Sequence, residues 1–192
     1  MANPTATNVS VGKPKAAGGI FVDTPGGTLP TDATSALPVT AVGLGYVSDA
    51  GLVNGVEINT EDVVAWGGDT VLTIRTSRSE TFSWTFIETN AAVMKEVYGP
   101  DNVTGTDGTG LTVLHNNKEL PSRVYIFEVL MTGNRVKRIV VPNAKITSVG
   151  DVSYVDGEPI GYEVTLGAFP DASGNTAYEY VAAVVTEDSS SA

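Results

Sequence analysis

Val71-Leu72-Thr73-Ile74-Arg75-Thr76-Ser77, followed by Thr81-Phe82-Ser83-Trp84-Thr85-Phe86-Ile87-Glu88, is the stretch on which the fold turns. Leu72 and Ile74 alternate with Thr73, Arg75 and Ser77, and Phe82, Trp84 and Phe86 alternate with Thr81, Ser83 and Thr85. Period-two alternation is the mark of a strand with one buried face, so the pattern predicts a hairpin with limbs 71–77 and 81–88. Each ring of the Phe-Trp-Phe row buries about 150–250 Å². A one-residue slip would turn the whole row to solvent, which pins the register. The opposite row, Thr73, Arg75, Ser77, Thr81, Ser83 and Thr85, faces either bulk water or a wet channel.

Outward from this segment the chain continues in the same vocabulary. Short runs rich in Val, Ile, Thr and aromatics, separated by Gly, Asp, Asn and Pro, predict further strands at 37–43, 56–59, 62–66, 111–115, 123–132, 135–141, 144–153, 159–168 and 177–186. Residues 123–132 are apolar on both faces, which requires a central strand covered on both sides and hence two packed layers. One helix is expected at about 90–98. Asn90 can cap it, Val93, Met94, Val97 and Tyr98 form its apolar side, and Gly99-Pro100 stops it. The expected fold is mainly β: two packed antiparallel sheets, a sandwich or half-barrel, with one flanking helix.

Composition narrows the function. The chain has 192 residues, 42% hydrophobic and 17% charged, with a formal net charge of -11. That charge disfavours a phosphate-gripping nucleic-acid binder. The absence of cysteine removes disulfides, thiolate metal sites and cysteine nucleophiles, and a single histidine, His115, leaves no imidazole cluster. No apolar run approaches the roughly 20 residues of a membrane helix. The N-terminus lacks the pattern of a secretory signal, which points to synthesis inside a cell. Residues 1–36, with Pro4, Pro14, Pro25, Pro30 and two glycine pairs, read as an extended arm whose one apolar burst, Ile20-Phe21-Val22, awaits a partner surface. Residues 187–192 read as a frayed tail.

Charge is unevenly placed. Residues 46–70 carry Asp49, Glu57, Glu61, Asp62 and Asp69 without a single base, and six of the eleven bases fall within 118–145. Such segregation suits either head-to-tail complementarity between copies or balance within one copy. No catalytic constellation emerges. Glu61 and Asp62 are strand neighbours and point apart, the Asp101 to Gly108 segment lacks calcium-loop spacing, and no glycine pair opens a phosphate loop. Trp66, before Gly67-Gly68, is either a partner anchor or core. No enzyme, cofactor or metal is expected.

The order of parts, however, is recognisable. Gly45-Tyr46-Val47-Ser48-Asp49-Ala50-Gly51-Leu52, the acidic segment through Ala65-Trp66-Gly67-Gly68, then Phe86-Ile87-Glu88-Thr89-Asn90 and the helix closing Val97-Tyr98-Gly99 resemble the major tail tube proteins of long, non-contractile-tailed (siphovirus-type) bacteriophages, above all those of actinobacteria. The resemblance covers residues 37–186.

It implies six-membered rings whose inner sheets join into one β-barrel, stacked into a tube through which genomic DNA passes without specific binding. It implies partners too: the chain itself, and tail-tip or initiator, tape-measure and tail-terminator proteins, in a virion tail assembled in the host cytoplasm. On this reading residues 46–70 form a loop touching the next ring through Tyr46, Asp49, Glu57, Glu61, Asp62, Trp66 and Asp69. Residues 1–36 become an arm making contacts through Ile20, Phe21 and Val22, and Thr73, Arg75, Ser77, Thr81, Ser83 and Thr85 line the lumen. The competing readings are a β-sandwich adhesion or carbohydrate-binding module and a single-ring terminator or distal tail component.

Overall fold

The computed structural model describes residues 9–15 and 18–183. The start of the expected arm and the tail 187–192 lie outside the described residues. Eleven strands and one α-helix follow in the order β1 (Gly12–Pro14), β2 (Ile20–Asp23), β3 (Val42–Gly43), β4 (Val53–Val64), β5 (Thr70–Phe86), α1 (Ala91–Tyr98), β6 (Val103–Thr106), β7 (Gly110–Val113), β8 (Arg123–Met131), β9 (Arg135–Val149), β10 (Tyr162–Ala168) and β11 (Tyr178–Ala183).

Nine of the strands form one antiparallel sheet along the path β3-β2-β8-β9-β10-β5-β4, with β1 on β8 and β11 on β9, and β6-β7 form a second, small sheet. Two layers arise from the long sheet because β9 serves both. Its first part, Arg135 to Val141, pairs with β8, and Arg135 to Val140 also pairs with β11; its last part, Ala144 to Val149, pairs with β10. The sheet then closes on itself: β5 and β8 are separated by two strands, yet Phe82 stacks on Phe127 at 5.3 Å and Trp84 lies 5.8 Å from Tyr125. The Phe-Trp-Phe row is fully buried, as its alternation predicts. Strand 123–132 is covered on both faces. Tyr125 and Phe127 join the main core, while Val124 and Ile126 pack under Leu29, Leu37, Tyr178 and Tyr180 on the other side. The fold is therefore mainly β and sandwich-like, with its layers continuous through β9.

The helix forms where the capping signals put it. Asn90 Oδ1 accepts the Val93 amide at 2.8 Å, Gly99 takes φ +96 after the last turn, and Val93, Met94 and Val97 enter the core. Asp107 also accepts the Ala91 amide at 2.7 Å, a second cap that came from a distant turn. Glu88 ties the preceding loop down: its Oε1 accepts the Tyr46 amide at 2.7 Å. Gly45 makes this possible, since at φ +80 a Cβ there would lie 2.5 Å from the Glu88 carboxyl carbon.

Three expectations fail. Residues 71–88 are not a hairpin: Thr70–Phe86 is one continuous strand of 17 residues, and its hairpin partner is β4, joined through 65–69. The segment 46–70 is accordingly not a loop throughout, since Val53–Val64 is a 12-residue strand. Nor do the described residues of the 1–36 segment form an arm apart from the body. β1 and β2 pair with β8, Ile20 and Val22 are buried, and the Asp32 carbonyl accepts from Arg138 at 2.9 Å. The basic stretch 118–145 is largely balanced within the chain, with Arg123, Lys137, Arg138 and Lys145 paired to Glu96, Glu179, Glu128 and Glu119.

Candidate functional site: a projecting hairpin and a polar sheet face

β10 accompanies β5 only from Phe86 to Glu80, so the rest of β5 extends beyond the sheet with β4 as its sole strand partner among the described residues. Every residue of β4 and every residue from Thr70 to Ser79 is exposed. The result is a two-stranded ribbon reaching into solvent: of the roughly 40 Å spanned by the 12-residue β4, the part from 57 to 64 lies beyond the end of β10. Its root is clamped. Glu80 accepts from Arg78 at 2.9 Å and from Asn54 at 3.2 Å, and also from Thr176. Burial pushes the Glu80 carboxyl up, but these donors and the Arg78 charge outweigh it and hold it below its ordinary value.

An irregularity divides the ribbon. Ser77 pairs with Asn59 but Arg75 pairs with Thr60, so Thr76 is an extra residue on β5. Asn59 and Thr60 are neighbours on a regular stretch of β4 and project to opposite faces, and directly paired residues share a face. Ser77 thus lies on the face of Thr81, Ser83 and Thr85. Thr73 and Arg75 lie on the other, where Thr73 donates to Asp62 at 2.7 Å. The six residues read from the sequence as one polar row are not one row.

The same bulge moves the apolar residues. Near the root, Val56 and Ile58 pair with Glu80 and Arg78 on the face that continues the Phe82-Trp84-Phe86 row. Beyond the bulge, Leu72 and Ile74 pair with Val63 and Glu61 on the opposite face. Leu72 and Ile74, expected in the core, are 56% and 47% exposed. Such contiguous exposed apolar surface on a ribbon marks a contact region.

The acidic and aromatic residues taken as contacts separate along this ribbon. Tyr46 and Asp49 stay near its root, where Val47 bridges to Phe86 and the Ser48 amide donates to the Thr85 carbonyl at 2.9 Å. Glu57, Glu61 and Asp62 lie along β4. Trp66 and Asp69 occupy the tip, where Gly67 and Gly68 take φ +125 and +100, and Trp66 is fully exposed rather than packed in a core. Of the apolar burst assigned to the arm, Ile20 and Val22 are core residues and Phe21 packs on the second cluster.

Beside the root lies a cleft of about 520 Å³ between β1, the 47–52 loop and the β8-β9 surface, walled by Leu52, Phe127, Val129 and Ile139, with Lys13 and Asp49 among its polar lining. Below the ribbon the layer β4-β5-β10-β9 turns a polar face outward. Ser83 and Thr85 pair with Thr165 and Glu163 of β10, and Thr165 pairs with Ser148 of β9. No cluster of three or more metal-ligating side chains occurs among the described residues. Sequence reasoning missed the bulge, because a one-residue insertion leaves no trace in a run of alternating residues.

No curated protein sequence matches the chain. Among solved structures, it is similar to the anti-feeding prophage cap (AFP tube terminating cap), seen by cryo-EM, at 16% identity and a TM-score of 0.37, covering 93% of this chain and 98% of that one. The family model described as phage tail tube protein matches residues 6–191. By that match across nearly its whole length, this chain belongs to the phage tail tube protein family and is a structural component of a phage tail.

Proposed function

We propose that the chain closes into six-membered rings that stack into the tail tube, the conduit for genome delivery, in a structural role that requires no catalysis and no cofactor. The observation that supports this most is a pair of free sheet edges. In the layer β4-β5-β10-β9, the outer edge of β4 and the edge of β9 beyond Ala144 have no strand beside them among the described residues. The layer has four antiparallel strands, so β4 and the end of β9 run in opposite directions. Copies related by rotation about a tube axis would therefore meet β9 to β4 in antiparallel register at every seam. Pairing there would remove both exposed edges, which otherwise invite unspecific aggregation.

In that barrel the face carrying Ser77, Thr81, Ser83 and Thr85 would line the lumen, while the Phe82-Trp84-Phe86 face stays in the core. A hydroxyl-rich, weakly charged wall suits passage of DNA, since a basic one would hold phosphates at many points. The ribbon would bridge successive rings. Assembly in the host cytoplasm with tail-tip, tape-measure and terminator partners completes the reading.

Negative-stain electron microscopy over a concentration series, with native mass spectrometry of the dilute sample, tests it. Hollow tubes or six-membered rings are expected. A compact monomer that persists at high concentration and in the presence of a tail-tip complex overturns it. Single rings that never stack would favour a terminator role, and saccharide binding on a glycan array an adhesion module.

A further inference from the structure

We infer that the cleft at the root of the ribbon is the receptor for the Trp66 tip of another copy of this chain, so that each ribbon joins like to like along the tube. The inference rests on the tube reading and names the contact that reading leaves open. Its first support is that donor and receptor are both built and that no described residue of the same copy occupies either. Trp66 stands fully exposed on a tight glycine turn, and the cleft of about 520 Å³ has the size of a small-ligand pocket with an apolar wall. An indole is the side chain that gains most from such a site, combining large apolar area with few rotatable bonds.

The second support is geometric. Tip and cleft lie at opposite ends of the same 12-residue strand, about 40 Å apart, so a copy cannot fill its own cleft. A second copy displaced along the ribbon by about that distance brings its root to the first copy's tip. Repeating that displacement makes a head-to-tail contact that does not close on itself, the relationship that generates a filament.

Charge agrees with the pairing. Asp69 adjoins the Gly67-Gly68 turn, and Lys13, exposed at the cleft, makes no ion pair among the described residues. An acidic tip entering beside Lys13 and away from Asp49, which also lines the cleft, is oriented by those two charges.

The chain contains no cysteine, so a disulfide test has no background. The double variant Ala65→Cys/Asp49→Cys, which keeps Trp66, oxidised mildly after tube assembly, is expected to give a ladder of covalent multimers on a non-reducing gel and none when unassembled. An equimolar mixture of the two single variants should stop at dimers. Independently, Trp66→Ala should raise the concentration needed for tubes by about tenfold or more, with an unchanged melting temperature because the side chain touches nothing in the monomer. Tubes of the double-cysteine variant that give no ladder, together with tubes from a Trp66→Ala chain at the parent concentration, overturn this inference and leave the tube reading standing. A parent chain that never forms tubes, even when seeded, overturns both.

Discussion

Arg138 and Glu128 are direct partners across β9 and β8, and the guanidinium, 1% exposed, donates to the Glu128 carboxylate through Nε at 3.1 Å. Its remaining donors reach the Asp32 carbonyl at 2.9 Å and the Ser35 carbonyl at 2.8 Å. One side chain thus fastens the 24–41 segment over the outer face of β8 and β9. Asp32 shapes the same turn from its own side, accepting the Thr34 and Ser35 amides, both at 2.6 Å.

Arg138→Met should therefore cost about 3–5 kcal/mol of folding stability, the usual penalty for leaving one member of a buried ion pair behind. Glu128 would retain only Lys15, at 3.3 Å. Urea denaturation measures the loss. The double variant Arg138→Met/Glu128→Leu should recover part of it, and a double loss equal to the sum of the singles would show that the pair does not act as a unit.

Glu96 makes stability depend on pH in a direction that can be worked out. Burial pushes its carboxyl above its ordinary value of 4.5, with the Tyr125 hydroxyl at 2.8 Å and the Arg123 charge opposing the shift. The folded chain then holds the proton more tightly than the unfolded chain. Stability falls as pH rises from that ordinary value through the raised folded one, and returns on acidification. Glu96→Gln keeps an acceptor for Tyr125 without the ionisation. Its stability relative to the parent should improve between about pH 4 and pH 7 in paired urea titrations. A difference that is flat across that range would rule out Glu96 as the source.

What the chain discloses by itself follows from how local each signal is. The Phe82-Trp84-Phe86 row, the doubly apolar 123–131 run and the Asn90 to Gly99 helix are each set by residues within a few positions of one another, and all three stand where the pattern puts them. The hairpin partner of β5 is not local information. Alternation is shared by 71–77 and 81–86 whether they are two strands or one, and Arg78-Ser79-Glu80 lacks the glycine or asparagine of a tight turn, a sign that should have favoured one long strand. Ala65-Trp66-Gly67-Gly68-Asp69 holds the true turn. The cleft was illegible for a different reason: Lys13, Asp49, Phe127 and Ile139 come from four separate segments that only the sheet brings together.

Insertion of one residue between Asn59 and Thr60, opposite Thr76, separates folding from assembly. With Thr76 given a partner, β5 alternates without interruption, so Leu72 and Ile74 would return to the face of Val56 and Ile58, and Thr73 and Arg75 to that of Ser77. Because residues 70–79 contact no core, the melting temperature should stay within a few degrees of the parent. Tubes should be lost or become disordered, since both apolar patches of the ribbon would fall on one side. Normal tubes from the insertion variant would show that the switch of face has no role in assembly.

The bulge also yields a contrast between two positions that the sequence alone treats as equivalent. Ser83 and Thr73 both belong to the expected polar row, yet Ser83 sits on the outward face of the four-strand layer and Thr73 on the other face of the free ribbon, bonded to Asp62. In a cysteine-free chain, Ser83→Cys and Thr73→Cys can each be labelled with a bulky maleimide too large to enter the tube. Both should react in the unassembled protein, since Ser83 is half-buried and Thr73 exposed. After assembly Ser83→Cys should be protected and should still react with a small methanethiosulfonate that diffuses along the lumen. Thr73→Cys should lose both reactions together if the ribbon is sealed between rings. Equal labelling of Ser83→Cys by the bulky reagent before and after assembly would place that face on the outside of the tube, and the lumen would then have to be built from a different surface.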